Sequence, residues 1–487
     1  MAYQGNFFNL FVIYCIIIIG DRMKKLNELY KNIDSDVFVR GIRYKVDEVK
    51  SGDLFFCLAK NNVDRYTQVD EAIKNGAVGV VVDGDVGYRN VPVIKVDSPK
   101  RELIYLSRKY YDDPDDILNV IGVTGTEGKS SVGMIIQQLL GLDNCGYLGN
   151  DFRKCHMFRE DNDDFIDPVK LYGYLDEFVK FNCSNVVLES SSLLLANGVL
   201  EPVDYDVCVY TNISSDHLDI HGNFDNYMMA KLRMFEQTKS DGIKVLNKDD
   251  IYFERVAKVC KDNYVTYGMD NDCTLQIVEY RCMYNKTSIK FKYKDQEFSL
   301  FSPLLGDFNV SNLAAALLVC LEMDVELELL LTRIEKIKLE GHMVFLNTND
   351  IYKVMVDYAH THNSIFRLLS FIKTLNYDRI IVVVGQEGEK NFFRRSHVGE
   401  IVVKNSNYAI FTSDNPRGED PTKICNEIVQ NIKNYANYEI IINRDAAIKK
   451  AIDMADEGDL VLILGKKINI EVIYSAIVER NIRESTF

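Results

Sequence analysis

The ten residues Gly122–Ser131, GVTGTEGKSS, have the composition of a phosphate-binding loop. They follow an apolar run and precede a helical pattern, and glycines at such a strand-to-helix turn let backbone N–H groups surround a phosphate. The strict P-loop pattern has glycine six residues before the lysine, where this chain has Val123, so the loop is a variant. We predict that Lys129 reaches the β- and γ-phosphates of a nucleotide and that Ser130 ligates Mg²⁺. The alternative, a chance match in a helix-capping turn, is the weaker interpretation.

Two further segments carry groups that could support a divalent cation. Glu189 ends an apolar strand pattern, where a carboxylate can hold Mg²⁺. The segment Ser214–Gly222 contains His217 among several acidic residues, although an exposed helix cap has the same composition. Lys231 lies in the helical pattern NYMMAKLRMF, where an ordinary lysine lays its stem on apolar neighbours.

Arg417 stands in an acidic turn, FTSDNPRGEDP, from Phe411 to Pro421. It could pair with the carboxylates of its own turn, or it could bind an anion from outside. A planar guanidinium can bind a carboxylate through two parallel hydrogen bonds.

Strand and helix patterns alternate along the chain and predict an α/β fold with parallel sheets. A length of 487 residues predicts about three domains. We place them at residues 23–114, 115–340 and 341–487, with the acidic cluster Asp112–Asp116 as a linker. The polar turns follow the carboxyl ends of predicted strands, which is where ligands bind in such sheets.

The net charge of −15 argues against nucleic-acid binding, because the phosphate backbone would be repelled. The eleven cysteines include no CxxC pair and no metal-like spacing, which favours reduced, apolar packing residues in a cytoplasmic protein. The apolar run Phe7–Ile19 is too short to span a bilayer and lacks the features of a secretory signal. We expect residues 1–22 to be an upstream extension with a fresh start at Met23, the alternative being a weak membrane tether.

Taken together, the quoted motifs resemble the Mur ligase family, and within it the MurE type. Gly122–Phe235 is followed in the family's order by GDFNVSNLAAAL, VDYAHT, TSDNPRGEDP and NRDAAIKKAI. The stretch TNISSDHLDIHGNFDNYMMAKLRMF is the most specific of these. The resemblance covers the chain from Met23 onward. It implies three domains, with a central P-loop ATPase domain and a C-terminal Rossmann-like domain.

The resemblance implies an ATP-dependent amide ligase that uses Mg²⁺. Such an enzyme would phosphorylate the D-Glu carboxylate of UDP-MurNAc-L-Ala-D-Glu and join it to an amino acid, with meso-diaminopimelate or another diamino acid expected from the D-N-P-R form. Small molecules would be its partners, and a monomer is expected.

The resemblance also assigns roles by residue. Lys129, Glu189, His217 and Lys231 match catalytic positions; Ser130, Glu189, His217 and a carbamylated Lys231 match the metal site; Gly125, Thr126, Glu127, Gly128, Lys129, Ser130, Ser131, Asn309, Asn312, Asp357 and His360 match ATP contacts; Arg395, Asn415, Arg417, Gly465 and Asn469 match the amino-acid site; and Ser191 and Ser192 match the acceptor site.

Several motifs depart from the family pattern, mostly on the nucleotide-sugar side. RYKVDEV (Arg43–Val49) replaces D-S-R-x-V, DDFIDP stands near the position of the T-T-P turn, and Leu193 follows two serines where the family has histidine. His342 replaces an arginine, and Asn469 takes the place of a glutamate that fixes the distal ammonium of diaminopimelate. Three alternatives follow: a related ligase acting on another carboxylate acceptor, a Mur-like binding protein with weak catalysis, and a plain P-loop NTPase.

Overall fold

The computed structural model describes residues 22–59, 62–162, 166–214, 216, 218–261, 263–283, 285–346, 348, 351–389, 392–465 and 468–485. The predicted N-terminal extension, apart from Arg22, lies outside the described residues, and so does His217. Within the described part of the chain, no helix is both long and apolar enough to cross a membrane.

The first unit contains a four-stranded parallel sheet and a separate antiparallel pair of strands. Its strands are β1 (Lys24–Lys25), β2 (Phe38–Val39), β3 (Gly41–Arg43), β4 (Asp53–Phe56), β5 (Gly79–Val82) and β6 (Val93–Lys95), and its helices are α1 (Leu26–Leu29), α2 (Asn62–Lys74) and α3 (Pro99–Tyr110). The parallel sheet has the order β3-β4-β5-β6, and β1 and β2 form the antiparallel pair. Ser98 caps α3 by accepting from the Arg101 N–H at 3.3 Å.

The central unit contains a long mixed sheet. Its strands are β7 (Asn119–Thr124), β8 (Cys145–Leu148), β9 (Phe152–Lys154), β10 (Arg159–Asp161), β11 (Asn185–Glu189), β12 (Tyr205–Tyr210), β13 (Thr238–Asn247), β14 (Val265–Gly268), β15 (Leu275–Cys282), β16 (Thr287–Tyr293) and β17 (Gln296–Ser302). Its helices are α4 (Lys129–Leu140), α5 (Pro168–Lys180), α6 (Ser192–Ala196), α7 (Leu218–His221), α8 (Phe224–Glu236), α9 (Phe253–Cys260), α10 (Asp307–Glu322) and α11 (Leu327–Ile334). The strands run in the order β10-β9-β8-β11-β7-β12-β13-β14-β15-β16-β17, parallel from β8 to β15 and antiparallel at both ends.

Both faces of the central sheet are covered by helices. Helices α4 and α10 pack on one face with the apolar side chains of β7 and β12, and α5 and α8 pack on the other. The central strands are buried on both faces, and their sequences are therefore continuous apolar runs. Because the strands are parallel, their carboxyl ends meet at one edge of the sheet, where ligands bind in such folds. That edge carries the phosphate loop after β7 and Glu189 at the end of β11.

The third unit is a second parallel α/β layer. Its strands are β18 (Val344–Leu346), β19 (Lys353–Asp357), β20 (Ile380–Gln386), β21 (Tyr408–Ser413), β22 (Tyr438–Ile440) and β23 (Leu460–Leu464), and its helices are α12 (His362–Lys373), α13 (Phe392–Asn405), α14 (Pro421–Ile428), α15 (Arg444–Asp453) and α16 (Ile470–Ser485). The order is β18-β19-β23-β20-β21-β22, with antiparallel β18 at one edge. The predicted alternation of strands and helices in this unit is confirmed, as is the α/β class.

The acidic cluster Asp112–Asp116, predicted as a linker, forms a structured turn. Asp112 and Asp113 adopt left-handed backbone with φ of 62° and 49°. Asp115 is 2% exposed and accepts from Arg108 at 3.0 Å. The connection from the first unit to the central one is therefore held by an arginine on α3.

Candidate active site

The phosphate loop between β7 and α4 is shaped by two glycines with positive φ. Gly125 has φ of 150° and Gly128 of 83°. A Cβ on Gly125 would lie 1.9 Å from Thr211 Oγ1, and one on Gly128 would lie 2.5 Å from Asn312 Oδ1. Any side chain at either position would displace these neighbours, so the loop requires glycine twice.

The loop is also held from outside by the segment that follows β12. The Thr126 N–H donates to the Asn212 carbonyl at 2.8 Å, and the Glu127 N–H donates to Asn212 Oδ1 at 3.1 Å. Lys129 Nζ donates to the Thr126 carbonyl at 2.8 Å, which keeps the amine inside the curve of the loop. Ser131 is buried in the first turn of α4. These contacts give a preorganised site for an anion at a helix N-terminus.

Lys231 is a buried amine behind this loop. Its side chain is 2% exposed, its Nζ donates to the Gly125 carbonyl at 2.6 Å, and it lies 4.7 Å from the Tyr227 ring centroid. Burial, and then the charge of Lys129, hold the pKa of Lys231 well below its usual range, although Asp216 and Glu127 oppose the shift. The sequence alone suggests a lysine with its head in water, and the structure corrects this: the amino group itself is buried.

Glu189 lies at the end of β11 with both carboxylate oxygens engaged. Oε1 accepts from the Tyr147 hydroxyl, and Oε2 accepts from Asn150 Nδ2 at 3.1 Å. Ser130 hydrogen-bonds to the same Tyr147 hydroxyl. Burial and the Glu189 charge raise the pKa of Tyr147 well above its usual range, so this phenol remains a donor. Ser130 and Glu189, two residues of the predicted metal site, are therefore connected through Tyr147.

The predicted acceptor serines lie just beyond Glu189. Ser191 caps α6 by accepting from the Leu194 N–H at 3.3 Å, which gives its hydroxyl a structural task. Ser192 Oγ lies 3.1 Å from His221 Nε2. His221 thus approaches the site from the end of α7, while the position of His217 is not described.

The predicted adenine-side asparagines lie on α10, next to the phosphate loop. Asn312 faces Gly128, and its Nδ2 donates to Asn309 Oδ1 at 3.1 Å. Asn309 Nδ2 donates to the Leu305 carbonyl at 2.8 Å. Asn309 also lines a cavity of about 410 Å³ whose other walls come from residues of the central and third units: Asn285, Pro303, Leu304, Leu305, His342, Met343, Phe345, Leu346, Thr348 and Lys353.

Asp357 ends β19 beside this cavity, and its carboxylate is hydrogen-bonded to two backbone N–H groups. Its carboxylate accepts from the Ala359 N–H at 2.7 Å and the Met343 N–H at 2.8 Å. Burial raises the pKa of Asp357, against the opposing effects of His342 and of the two N–H groups. His360 follows, with its Nδ1 3.0 Å from the Tyr358 carbonyl.

One contact joins the third unit to the phosphate loop directly. Thr361 Oγ1 donates to Glu127 Oε1 at 2.7 Å, and the same oxygen caps α12 by accepting from the Ser364 N–H at 3.0 Å. The loop thus contacts both the central unit that carries it and the helix of the third unit that faces it.

Arg417 is not paired within its own turn. Asp414 lies 3.8 Å from Arg444, Glu419 pairs with Arg395, and Asp420 caps α14. Arg417 has a left-handed φ of 50°, is 39% exposed in its side chain, and approaches Glu387 only to 3.9 Å. That distance is beyond a hydrogen bond but within the range of an ion pair, so Glu387, which lies outside the turn, is the carboxylate that Arg417 approaches.

The turn that carries Arg417 packs on the glycine turn after β20. The Gly388 N–H donates to the Asn415 carbonyl at 2.8 Å, and a Cβ on Gly388 would lie 1.9 Å from the Pro416 carbonyl oxygen. Asn415 therefore contributes its backbone to this contact, and Gly388 is required for the close approach of the two turns.

Arg395 holds the same turn in place through an ion pair with Glu419. It is 1% exposed and donates to both carboxylate oxygens of Glu419, at 2.9 and 3.1 Å, and to Glu427 and the Glu387 carbonyl. Hydrogen bonds from Arg395 lower the pKa of Glu419 to about 2. In this structure its guanidinium is engaged by internal partners, which is the arrangement of a positioning residue rather than of a free second cation.

Gly465 and Asn469 lie after β23 and have different structural roles: Gly465 allows a close approach of neighbouring side chains, and Asn469 caps a helix. Gly465 has φ of 133°, and a Cβ there would lie 2.8 Å from Asp414 Oδ2 and 2.9 Å from Arg444 Nη2. Asn469 caps α16, since its Oδ1 accepts from the Glu471 N–H at 3.0 Å. The residue in the place of the family's glutamate is thus a helix cap.

Replacing Asn469 with alanine is expected to lower the free energy of unfolding by about 1 kcal/mol, because a cap acceptor is lost. Asn469→Asp should retain stability, since aspartate caps equally well. Urea titrations monitored by circular dichroism measure both variants. An unchanged midpoint for Asn469→Ala would show that the cap does not stabilise the protein.

The residues that sequence reasoning missed are the partners of the predicted ones. They are Tyr147, Asn150, Thr211, Asn212, Tyr227, Thr361 and Arg444. Asn212 follows an apolar strand pattern, so the rule that ligands bind at strand ends was the available signal for that residue.

Comparisons with known proteins agree with this architecture. A family model described as "Mur ligase middle domain" matches residues 123–320, and one described as "Mur ligase, glutamate ligase domain" matches residues 343–467. The chain is 33% identical over 431 residues, 88% of each protein, to the UDP-N-acetylmuramoyl-L-alanyl-D-glutamate--2,6-diaminopimelate ligase of Aquifex aeolicus. It is 32% identical to the enzyme of the same name from Fusobacterium nucleatum, over 90% of this chain and 91% of that one.

A solved structure has the same overall fold. It is titled as a UDP-N-acetylmuramoyl-L-alanyl-D-glutamate--2,6-diaminopimelate ligase, with a TM-score of 0.66 and 26% identity over 94% of this chain and 99% of that chain. The resemblance drawn from the motifs is confirmed: the chain belongs to the Mur ligase family of ATP-dependent amide ligases.

Proposed function

We propose that this ligase joins a diamino acid, with meso-diaminopimelate first in line, to the D-Glu carboxylate of UDP-MurNAc-L-Ala-D-Glu in peptidoglycan precursor synthesis. ATP phosphorylates the carboxylate and leaves as ADP. The amine of the incoming amino acid then attacks the acyl carbon, the carbon–oxygen bond to phosphate breaks, and the amine loses its proton. The names of the relatives support this substrate pair.

The buried Lys231 is the observation that carries the proposal. A P-loop NTPase needs the loop lysine, but it has no use for a second, desolvated amine hydrogen-bonded to the loop backbone. An amine with a lowered pKa is neutral and nucleophilic, and it can therefore react with CO₂ to form a carbamate. Carbamylation would convert this position into an anionic oxygen donor next to the phosphate loop.

The side chains present also fit Mg²⁺. Ser130 and Glu189 offer oxygen donors that share Tyr147, and hard cations prefer oxygen. We propose that Ser130, Glu189, His217 and the carbamate of Lys231 support the metal. When bound, Mg²⁺ would screen the negative charges of the phosphates and the acceptor carboxylate.

The chain's own residues then divide the work. Lys129 and the N–H groups of Gly125–Ser131 hold the phosphates of ATP, and Asn309 with Asn312 lines the adenine side, where the cavity of about 410 Å³ lies. We assign Asp357 to the ribose side and His360 to the nucleotide's neighbourhood. The Thr361–Glu127 contact fixes the third unit against the loop, so that both substrates are held close and water is excluded.

Each proposed domain contains one of the three larger sheets. Residues 23–114 would bind the nucleotide sugar, 115–340 would bind ATP, and 341–487 would bind the amino acid. In the third domain, Arg417, Asn415 and Gly465 are assigned to the amino acid, and Arg395 is assigned to positioning the Arg417 turn through Glu419.

Arg417→Lys is expected to raise the KM for the amino acid by about 10- to 100-fold, because lysine cannot bind a carboxylate through two parallel hydrogen bonds. The KM for ATP should stay unchanged. Initial rates of ADP formation at varied amino acid measure the effect, and Arg255→Lys, at an exposed position on α9, is the matched control. An unchanged amino-acid KM would remove Arg417 from the site.

A second candidate is a ligase with a different carboxylate acceptor. Tyr44 Oη donates to Asp167 Oδ2 at 3.0 Å, which joins the two segments that depart from the family's acceptor motifs. Asp167 also caps α5 by accepting from the Lys170 N–H at 2.9 Å. Both residues belong to segments whose sequences depart from the family's acceptor motifs, which favours a different acceptor.

A phosphate-release screen separates these candidates. Acceptors, beginning with UDP-MurNAc-L-Ala-D-Glu, are each combined with meso-diaminopimelate, lysine or another diamino acid in the presence of ATP and Mg²⁺. The proposal predicts phosphate release that requires both the acceptor and the amino acid, with an amide product detected by mass spectrometry. Phosphate release without an amino acid would indicate a plain NTPase. Release that requires an amino acid but occurs only with a different acceptor would favour the second candidate.

A further inference from the structure

Three side chains that can ligate a soft metal ion come together away from the proposed active-site residues. The Sγ atoms of Cys155 and Cys183 and a ring nitrogen of His156 lie within 4.8 Å of one another. Cys155 and His156 follow β9, and Cys183 lies in the connection from α5 to β11. The sequence spacing between Cys155 and Cys183 is not that of a zinc motif, so the cluster is visible only in the fold.

The two thiols and the imidazole have complementary exposures. Cys155 is 4% and Cys183 5% exposed, whereas His156 is exposed at the surface. The Met157 N–H donates to Cys155 Sγ at 3.4 Å, and such a donor favours a thiolate. An ion would therefore have two ligands fixed in the packed interior and one at the protein surface, which gives it an entry path.

The surrounding charges permit a cation. The nearby Arg153 guanidinium is paired with both Glu160 and Glu177 and is thereby neutralised. Tetrahedral Zn²⁺ with bonds of about 2.0–2.3 Å places its ligand atoms roughly 3.3–3.8 Å apart. The present spacing is close to that range, and the exposed imidazole can swing inward to complete it.

We propose that Cys155, Cys183 and His156 bind one Zn²⁺ ion, with a fourth position open to water. Two thiolates and one imidazole are a ligand set that selects Zn²⁺ over hard cations such as Mg²⁺. The site is thus chemically distinct from the oxygen-rich cluster of Ser130 and Glu189.

The ion would stabilise the end of strand β9, which pairs with a strand of the proposed active site. Strand β9 pairs with β8 at Tyr147 and Lys154, and Tyr147 holds Glu189. Lys154 and Arg159 both contact Glu340, which lies at the start of the connection to the third unit. Metal binding at residue 155 would therefore stiffen the segment that supports both Glu189 and this connection.

Spectroscopy with Co²⁺ tests the site in the full chain. After the thiols are reduced with a reagent that does not bind metals and then counted, Co²⁺ is added in steps. One equivalent should give a thiolate-to-Co²⁺ charge-transfer absorption and the d–d bands of tetrahedral coordination, and Zn²⁺ should displace both. Co²⁺ in the oxygen-rich cluster gives no sulfur band, which distinguishes the two sites. Absence of the sulfur band in folded, reduced protein would overturn the proposal.

Variants assign the ligands. Cys155→Ser and Cys183→Ser should each lose the sulfur band or most of its intensity, and Cys273→Ser, a half-buried cysteine outside the cluster, should keep it. His156→Gln should weaken Co²⁺ and Zn²⁺ binding about 10-fold or more while leaving metal-free unfolding unchanged, because His156 is exposed. If the serine variants do not fold, His156→Gln decides: unchanged affinity in that variant would overturn the site.

Discussion

Replacing Lys231 with alanine is expected to reduce amide formation by at least about 100-fold, because a charge-stabilising group would be lost from the site of phosphoryl transfer. The amine lies behind the phosphate loop and donates to the Gly125 carbonyl, so its removal also deprives the loop of one hydrogen bond. Coupled assays of ADP release, with mass spectrometry of the amide product, measure the loss. Small carboxylic acids that mimic a carbamate should restore part of the rate in the alanine variant.

The exposed Arg233 on the same helix supplies a matched control, since Arg233→Ala should keep the normal rate. Bicarbonate should raise the activity of the normal protein and have no effect on Lys231→Ala. Normal ligation by Lys231→Ala would refute the carbamate, and a bicarbonate effect in the alanine variant would place that effect elsewhere.

Stability gives an independent check on the same residue. Burial lowers the pKa of Lys231 in the folded protein, whereas in the unfolded chain the amine returns to its ordinary value of 10.5. Between these two values the unfolded chain binds more protons, so stability rises with pH over that interval when the lysine is not carbamylated. Lys231→Met should lack this component and should be at least as stable as the normal protein at neutral pH, because no amine is desolvated.

The regular elements could be predicted because their signals are local. In the third unit, runs such as RIIVVVG and DLVLILG are apolar throughout, as parallel strands buried on both faces must be, and the helices between them begin at recognisable caps. The antiparallel strands β15, β16 and β17 were not predicted. Each pairs with its neighbour in the chain through a short connection, but their alternating polar and apolar residues give a weaker signal than a continuous apolar run, because strand preference depends on the surroundings of each face.

The candidate site was predictable in its residue types but not in its pairings. Glu189 and Lys231 are named by motif, yet the tyrosine that links Glu189 to Ser130 and the burial of the Lys231 amine arise from packing. The ion pairs of Arg395 with Glu419 and Glu427 were not predicted, because nothing in the sequence brings these residues together. The proximity of Cys155 and Cys183 was not predicted for the same reason, since a strand and a helix, β10 and α5, lie between them in the chain.

These pairings also explain how a strongly acidic protein can hold anionic substrates. The carboxylates nearest the proposed sites are engaged: Glu419 by Arg395, Asp357 by two N–H groups and Glu189 by Tyr147 and Asn150. In the described structure, neither Arg417 nor Lys129, the cations proposed to bind substrate, is hydrogen-bonded to one of these carboxylates. The net charge of the chain therefore does not oppose binding at these places, since local hydrogen bonding determines the field there.

Lys129→Ala is expected to remove ATP turnover, with a fall of about 100- to 1000-fold, because the loop would lose the cation that follows the transferred phosphoryl group. The backbone N–H groups and the two required glycines remain, so ADP should still bind, though more weakly. Phosphate release with and without the amino acid measures turnover, and calorimetry measures nucleotide binding. Lys129→Arg keeps the charge but changes its shape and reach and should rescue little, whereas Lys336→Ala, at an exposed position, should behave normally. Retained turnover in Lys129→Ala would show that the phosphates lie elsewhere, because no other lysine donates to the loop from within its curve in the described structure.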